Sequence, residues 1–292
     1  MTCTKPIHLY KGRHKGSSPM SKDPLLRDYL TVPCKKCIAC KISYAAEWAA
    51  RILMHMQNKD SFFLTLTYEP ETIPIITRGV TGDDKQDFYY TLLKSDLQKF
   101  FKRLRKEIKP NNFKYYACGE YGETNSRPHY HAIIIDWRPD DIETDRTTKR
   151  MTSPTITKLW KYGFHDIGNV TKESIQYVAG YLKKTDSRNF NECSQIPFNL
   201  SSKNLGKEFA LNNLEKIAQN KITVGGKKIT MPRYFKELLT EEQKNRMKLK
   251  SMYKESMQEK EFKGWTNKNE AKEKDAKVRQ KNLEVLKKTR QL

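Results

Sequence analysis

Two histidines one residue apart stand at the head of an apolar run, Arg127-Pro128-His129-Tyr130-His131-Ala132-Ile133-Ile134-Ile135. Side chains alternate along a β-strand, so on an extended backbone His129 and His131 share a face. Two imidazoles at that spacing make half of a metal site. One carboxylate would leave open positions on a divalent cation, and the stretch before the histidines offers Glu120 and, in a turn, Glu123. Such a site binds a phosphodiester oxygen and polarises the phosphorus. Mg2+ or Mn2+ suits that chemistry, and nitrogen ligands tilt the choice toward Mn2+.

Further along comes Tyr177-Val178-Ala179-Gly180-Tyr181-Leu182-Lys183-Lys184. On a helix Tyr177, Tyr181 and Lys184 fall at i, i+4 and i+7, on one side. A phenol has an ordinary pKa of about 10 and is a weak nucleophile at neutral pH. An activated phosphate would make up for that, and Lys184 can stabilise charge or relay a proton. Two tyrosines one turn apart can alternate: one cleaves and holds a 5′ phosphate, and the other attacks the next junction. The competing reading is that both are amphipathic packing residues.

A separate cluster, Cys34-Lys35-Lys36-Cys37-Ile38-Ala39-Cys40, can turn around a soft cation. Zinc needs a fourth ligand. Cys3 is the natural candidate, with His8 and His14 weaker ones, and Fe–S ligation uses similar spacing. Six cysteines without a secretion signal argue against a disulfide framework.

These residues need elements to hold them. Residues 41–57 repeat apolar positions at helical spacing, with Trp48 and His55 as packing residues. Residues 61–68 read as a strand, Phe62, Leu64 and Leu66 facing one layer and Thr65 and Thr67 the other. Residues 70–92 read as a loop or insertion with a turn at 81–83. Residues 95–106 form an amphipathic helix capped by Ser95, with Leu97, Phe100, Phe101 and Leu104 buried and a basic outer face. Strands at 113–120 and 129–137 flank a turn, which puts Glu120 near the histidine face. A polar loop at 138–151, a helix near 153–160, a strand at 162–168 and the tyrosine helix follow. Residues 222–230 suggest a two-strand ribbon around Gly225-Gly226.

The chain has 292 residues, 37% of them hydrophobic, and a formal charge of +22 from 56 Lys and Arg against 34 Asp and Glu. Such an excess points to a polyanion, with nucleic acid first. The 16 basic and 9 acidic residues from 241 to 292 account for only part of it. Lys99, Lys102, Arg103, Arg127 and Lys183 are the candidates for DNA contact. No run approaches the roughly 18 apolar residues of a spanning helix, and the first residues have no hydrophobic leader. The expectation is a soluble, cytosolic protein.

Arg127-Pro128-His129-Tyr130-His131 matches the His-hydrophobic-His motif of the HUH endonuclease superfamily, and Tyr177 to Lys184 resembles its two-tyrosine motif. With the strand at 61–68, the later Pro232-Arg233-Tyr234-Phe235 and the N-terminal cysteines, the set resembles the replication initiators of gokushovirus-type Microviridae phages. The resemblance implies an α+β fold, a central antiparallel β-sheet flanked by helices. It implies metal ligands at His129, His131 and Glu120, and nucleophiles at Tyr177 and Tyr181 with Lys184 beside them. It also implies nicking and joining of single-stranded DNA at a phage replication origin, and rolling-circle replication with host helicase and polymerase in the cytoplasm of an infected or lysogenic bacterium. A plasmid mobilisation relaxase and a non-catalytic, zinc-stabilised binder of single-stranded DNA are the alternatives. The expected parts are an N-terminal segment at 1–58 packed on the catalytic domain, an endonuclease domain at 59–239 and a basic, helical or partly disordered tail at 240–292.

Overall fold

The computed structural model of the chain describes residues 3–10, 29–77, 88–109, 112–122, 125–180, 195–224, 227–229, 231–261, 274–278 and 280–281. In chain order the first elements are β1 (Ile7–Tyr10), β2 (Tyr29–Val32), α1 (Ile38–His55), β3 (Ser61–Tyr68), β4 (Ile75–Thr77), β5 (Phe88–Tyr90) and α2 (Lys94–Glu107). There follow β6 (Lys114–Tyr121), β7 (Pro128–Ile135), β8 (Glu143–Thr144), β9 (Met151–Thr152), α3 (Pro154–Leu159), β10 (Gly163–Gly168) and α4 (Lys172–Gly180). The last are β11 (Phe198–Ser201), α5 (Lys207–Asn212), α6 (Leu214–Ala218), β12 (Thr223–Val224), β13 (Lys227–Lys228), α7 (Arg233–Glu237) and α8 (Glu241–Glu261). Two compact units divide them: Met1–Tyr44 with Asn245–Leu292, and Ala45–Lys244.

The larger unit holds a seven-stranded antiparallel sheet in the order β11-β6-β7-β3-β10-β9-β8. This is the α+β plan expected from the sequence. Its two faces differ because of the pleat. On β3, Phe62, Leu64, Leu66 and Tyr68 are buried and the residues between them are half-buried. They join Tyr130, Ala132 and Ile134 of β7, the apolar stripe of α2, and Ile156, Leu159 and Trp160 from α3 and its end. On the other face Ile133 and Ile135 of β7 and Tyr116 and Cys118 of β6 pack with Ile175, Val178 and Ala179 of α4 and Ile52 of α1. The far half of β7 is thus covered on both sides, and its sequence is continuously apolar for that reason. The near half, with His129 and His131, is left half-buried on that second face.

Several expectations need correction. Ser95 lies inside α2. The N-cap is Leu93, which offers no side-chain cap. Tyr130 substitutes for it: the Leu93 N–H donates to the Tyr130 hydroxyl at 3.0 Å, and that hydroxyl donates to the Leu93 carbonyl at 2.9 Å. Tyr68 donates to Asp96 in the first turn at 3.0 Å and lies 2.8 Å from the Tyr130 hydroxyl. The stretch read as a loop at 70–92 contains the β4–β5 ribbon, and its supposed turn at 81–83 lies outside the described residues. The polar loop at 138–151 contains β8 and the start of β9, which extend one sheet edge, and β11 forms the opposite edge. The start of α8 is fastened to α6, with buried Gln243 donating to Glu215 at 3.0 Å.

The packing roles read for Trp48 and His55 agree with their positions. Trp48 lies against Tyr116 at 4.8 Å between ring centroids, and His55 is buried. Burial first, and then the charge of Lys59, lowers the His55 pKa from 6.5 to about 4. Between those values the unfolded chain binds a proton that the folded chain refuses. This contribution to stability is therefore complete above about pH 6.5 and falls away toward about pH 4. His55→Leu should remove that part of the slope in denaturant midpoints measured across the window. Tyr130→Phe should cost about 1–3 kcal/mol in the same assay, because the polar backbone of Leu93 loses its partner.

Candidate metal centre with a tyrosine

Strand register assembles the site. In the β6–β7 pair Glu120 lies opposite His129 and Cys118 opposite His131. In the β3–β7 pair Thr67 lies opposite His129 and Thr65 opposite His131. Cross-strand partners share a face, so one carboxylate, two imidazoles and two threonines meet there. The Glu120 Oε1 atom is 2.7 Å from His129 Nε2 and 2.9 Å from His131 Nε2. On α4, burial of Ile175, Val178 and Ala179 turns Tyr177 toward the same spot. Its hydroxyl donates to Glu120 Oε1 at 2.5 Å, and its ring meets the His131 ring edge-on at 5.4 Å.

The outer nitrogens fix how the imidazoles point. His131 Nδ1 is 3.0 Å from Thr65 Oγ1, and its ring stacks on Phe63 at 5.3 Å. His129 Nδ1 is 3.1 Å from the Arg127 carbonyl, which can only accept. That nitrogen therefore carries the proton. In the neutral ring the Nε2 lone pair then faces the Glu120 carboxylate, so two acceptors oppose each other at 2.7 Å. The arrangement calls for a cation between them, a second proton or a metal ion.

Burial works to raise the Glu120 pKa. Hydrogen bonds from His129 and His131, the charge of His131 and the Tyr177 hydroxyl outweigh it and hold the group at about 2. The carboxylate is therefore charged at neutral pH. Its second oxygen, Oε2, is buried without a hydrogen-bond partner. Beside it, burial and then the Glu120 charge push the Cys118 thiol up, so that it stays neutral. The ligand atoms of Glu120, His129 and His131 lie within 4.8 Å of one another. Separations of 2.7 and 2.9 Å are close to the edge of about 3 Å expected for an octahedron with bonds near 2.1 Å. A charged, partly unpartnered carboxylate and two oriented imidazoles fit a divalent cation.

Other candidates fall elsewhere. Tyr181, Lys183, Lys184 and Glu123 lie outside the described residues. Lys99, Lys102 and Arg103 sit on α2, which packs on the sheet face opposite the histidines. Arg103 Nε donates to the Leu159 carbonyl at 2.8 Å, so it joins α2 to α3. Arg127 is exposed next to the site, and one of its guanidinium nitrogens donates to the Tyr68 carbonyl at 2.7 Å. Cys3, Cys34, Cys37 and Cys40 converge within the smaller unit.

Three neighbours escaped the sequence reading. Thr65 and Phe63 orient His131, and alternation on β3 had already put Thr65 on the correct face. Phe164 of β10 lies opposite Thr67, in the row that contains His129, and is 61% exposed. Nothing in the sequence ties β10 to β3, so that aromatic could not be placed beforehand.

With this geometry in view, comparison with known proteins is informative. The model of a family described as Replication-associated protein ORF2 matches residues 61–186, a span that begins with β3 and contains the whole cluster. The chain is 29% identical over 262 residues to Replication-associated protein ORF2 of Spiroplasma virus 4, covering 80% of this chain and 79% of that one. It is 31% identical over 226 residues to Replication-associated protein VP4 of Bdellovibrio phage phiMH2K, covering 70% and 66%. Replication-associated protein ORF4 of Chlamydia phage 1 is 28% identical over 226 residues, covering 71% and 53%. No solved structure matches. The chain belongs to this family of phage replication-associated proteins, and its role lies in replication of a phage genome. Among the described residues no helix is long and apolar enough to cross a membrane.

The carbonyl contact of His129 can be checked directly. Nitrogen-15 spectra of metal-free protein should show a proton on His129 Nδ1. A ring with a bare Nδ1 would contradict the geometry.

Proposed function

We propose that the chain is an HUH-type nickase and strand transferase that starts and ends rolling-circle replication of a small circular single-stranded phage genome. The observation that carries this reading is the meeting of His129, His131 and Tyr177 on one oxygen of Glu120, at 2.5 to 2.9 Å. His129, His131 and Glu120 would hold Mg2+ or Mn2+. When bound, the cation would polarise the scissile phosphate and offset the charge that develops on it.

The protein's own groups do the rest. Tyr177 Oη attacks phosphorus, so a phosphotyrosyl bond forms and the bond to the 3′ oxygen breaks. The phenolic proton leaves the tyrosine, and the departing 3′ oxygen gains one to become a hydroxyl. Glu120, held at about 2, is too weak a base to keep that proton, so its part is to aim the phenol. Tyr181 and Lys184 follow Tyr177 in sequence at i+4 and i+7 and are assigned the second nucleophile and the charge-stabilising group. The second tyrosine would let the freed 3′ hydroxyl rejoin a strand while a new junction is cut. Exposed Phe164, about 10 Å from His129 by strand spacing, is suited to stack on a base of the bound strand. The excess positive charge suits the DNA backbone. The setting would be the bacterial host's cytoplasm, with host helicase and polymerase extending the nicked strand.

The test is a denaturing gel of the full chain incubated with Mn2+ and single-stranded fragments tiling the viral strand. One fragment should give a covalent adduct that maps by mass spectrometry to Tyr177 or Tyr181, and Tyr177→Phe with Tyr181→Phe should lose it. His129→Ala should lose cleavage while retaining a mobility shift. An adduct that persists in the double variant would refute the nucleophile assignment. A shift with no cut on any fragment would favour a binding protein.

A further inference from the structure

The smaller unit has a second convergent cluster, which the proposed nuclease reaction does not use. The Sγ atoms of Cys3, Cys34, Cys37 and Cys40 all lie within 4.8 Å of one another. The Cys34–Cys40 separation is 4.0 Å, the Cys3–Cys37 separation is 3.8 Å, and all four cysteines are free. The β1–β2 ribbon makes this meeting possible. Its register pairs Ile7 with Val32, so Cys3, just before β1, returns beside the Cys34–Cys40 turn just after β2. His8 points elsewhere, its Nδ1 lying 3.0 Å from Thr31 Oγ1.

We infer that these four cysteines form a mononuclear tetrathiolate zinc site that staples the N-terminal ribbon to the start of α1. A tetrahedron with Zn–S bonds near 2.3 Å has S–S edges of about 3.8 Å, which both of these separations approach. A disulfide would bring two sulfurs to about 2.05 Å. A four-iron cluster puts each thiolate on a different iron and so spreads the sulfurs more widely. The backbone is arranged for thiolates: Cys34 N–H donates to Cys3 Sγ and Cys37 N–H to Cys34 Sγ, each at 3.3 Å. Lys35, between them, takes a φ of 60°, a left-handed turn that lets the chain double back around an ion. Cys40 lies in the first turn of α1, where the helix dipole favours negative charge. Zinc with four thiolates has a net charge of −2, which Lys5, Lys35, Lys36 and Lys41 surround in sequence.

The local packing needs such a staple. Between residues 3 and 44, Ala39 is the sole buried residue among those described with a burial. The ribbon itself has four-residue strands, which are marginal without a core. Metal binding supplies the missing cohesion, as in other small coreless folds.

The test uses the full chain purified from zinc-containing medium. Elemental analysis should find one zinc per chain. Cys34→Ser should lose it, whereas Cys118→Ser, Cys193→Ser and the pair His129→Ala and His131→Ala should keep it. Replacement by Co2+ should give the charge-transfer and d–d absorption of a tetrahedral tetrathiolate. If Cys34→Ser fails to fold, Cys3→His should still bind one Co2+, with spectral features of a mixed sulfur and nitrogen shell. Folded protein free of zinc, zinc lost with the histidine pair, iron in place of zinc, or a Cys3→His cobalt spectrum identical to that of the unaltered chain would each overturn the assignment.

Discussion

The pairing register of β6 with β7 is the constraint on which the site rests. It sets Glu120 against His129, and the pleat then decides that both imidazoles share its face. A slip of one residue would turn the histidines into the α2-side core and bring Tyr130 and Ala132 out beneath α4. Buried Tyr130, Ala132 and Ile134 on one side and Ile133 and Ile135 on the other resist that slip. The geometry of the cluster is therefore a product of packing over the whole length of β7, most of which touches no ligand.

Within that frame, a single carbonyl has a large effect. The Arg127 oxygen also accepts from the Gly122 N–H at 2.9 Å, closing the turn between the two strands. The same oxygen fixes the tautomer of His129. Turn closure and imidazole orientation thus share an atom. Thr65 has the corresponding part for His131, from the strand on the other side. Both histidines are aimed by groups on rigid elements, and Glu120 is held charged between them by their hydrogen bonds.

Much of this was legible in the sequence because the signals are local. The His-x-His spacing, the alternation of residues 61–68, the stripe of α2 and the hairpin that brings Glu120 to the histidines all depend on neighbours within about twenty residues. What failed depends on distant partners. The cap of α2 is made by the Tyr130 side chain, so Ser95 was a sound local choice that tertiary structure overrode. The basic face of α2 precedes the site in sequence yet lies across the sheet from it. Short strands β8, β9 and β11 gain their pairing from the sheet edge and carry little pattern of their own. Cys3 was one candidate among several for the fourth thiol until the β1–β2 register brought it alongside.

Tyr130 stands between the two histidines and faces the other way. Its hydroxyl holds the first turn of α2, while its backbone sets the spacing of the imidazoles on either side. The chemistry and the cohesion of this protein are written on alternate residues of one short strand. Evolution has little freedom to shift the histidine pair along the chain, because any such move must also find a new way to begin the helix behind it.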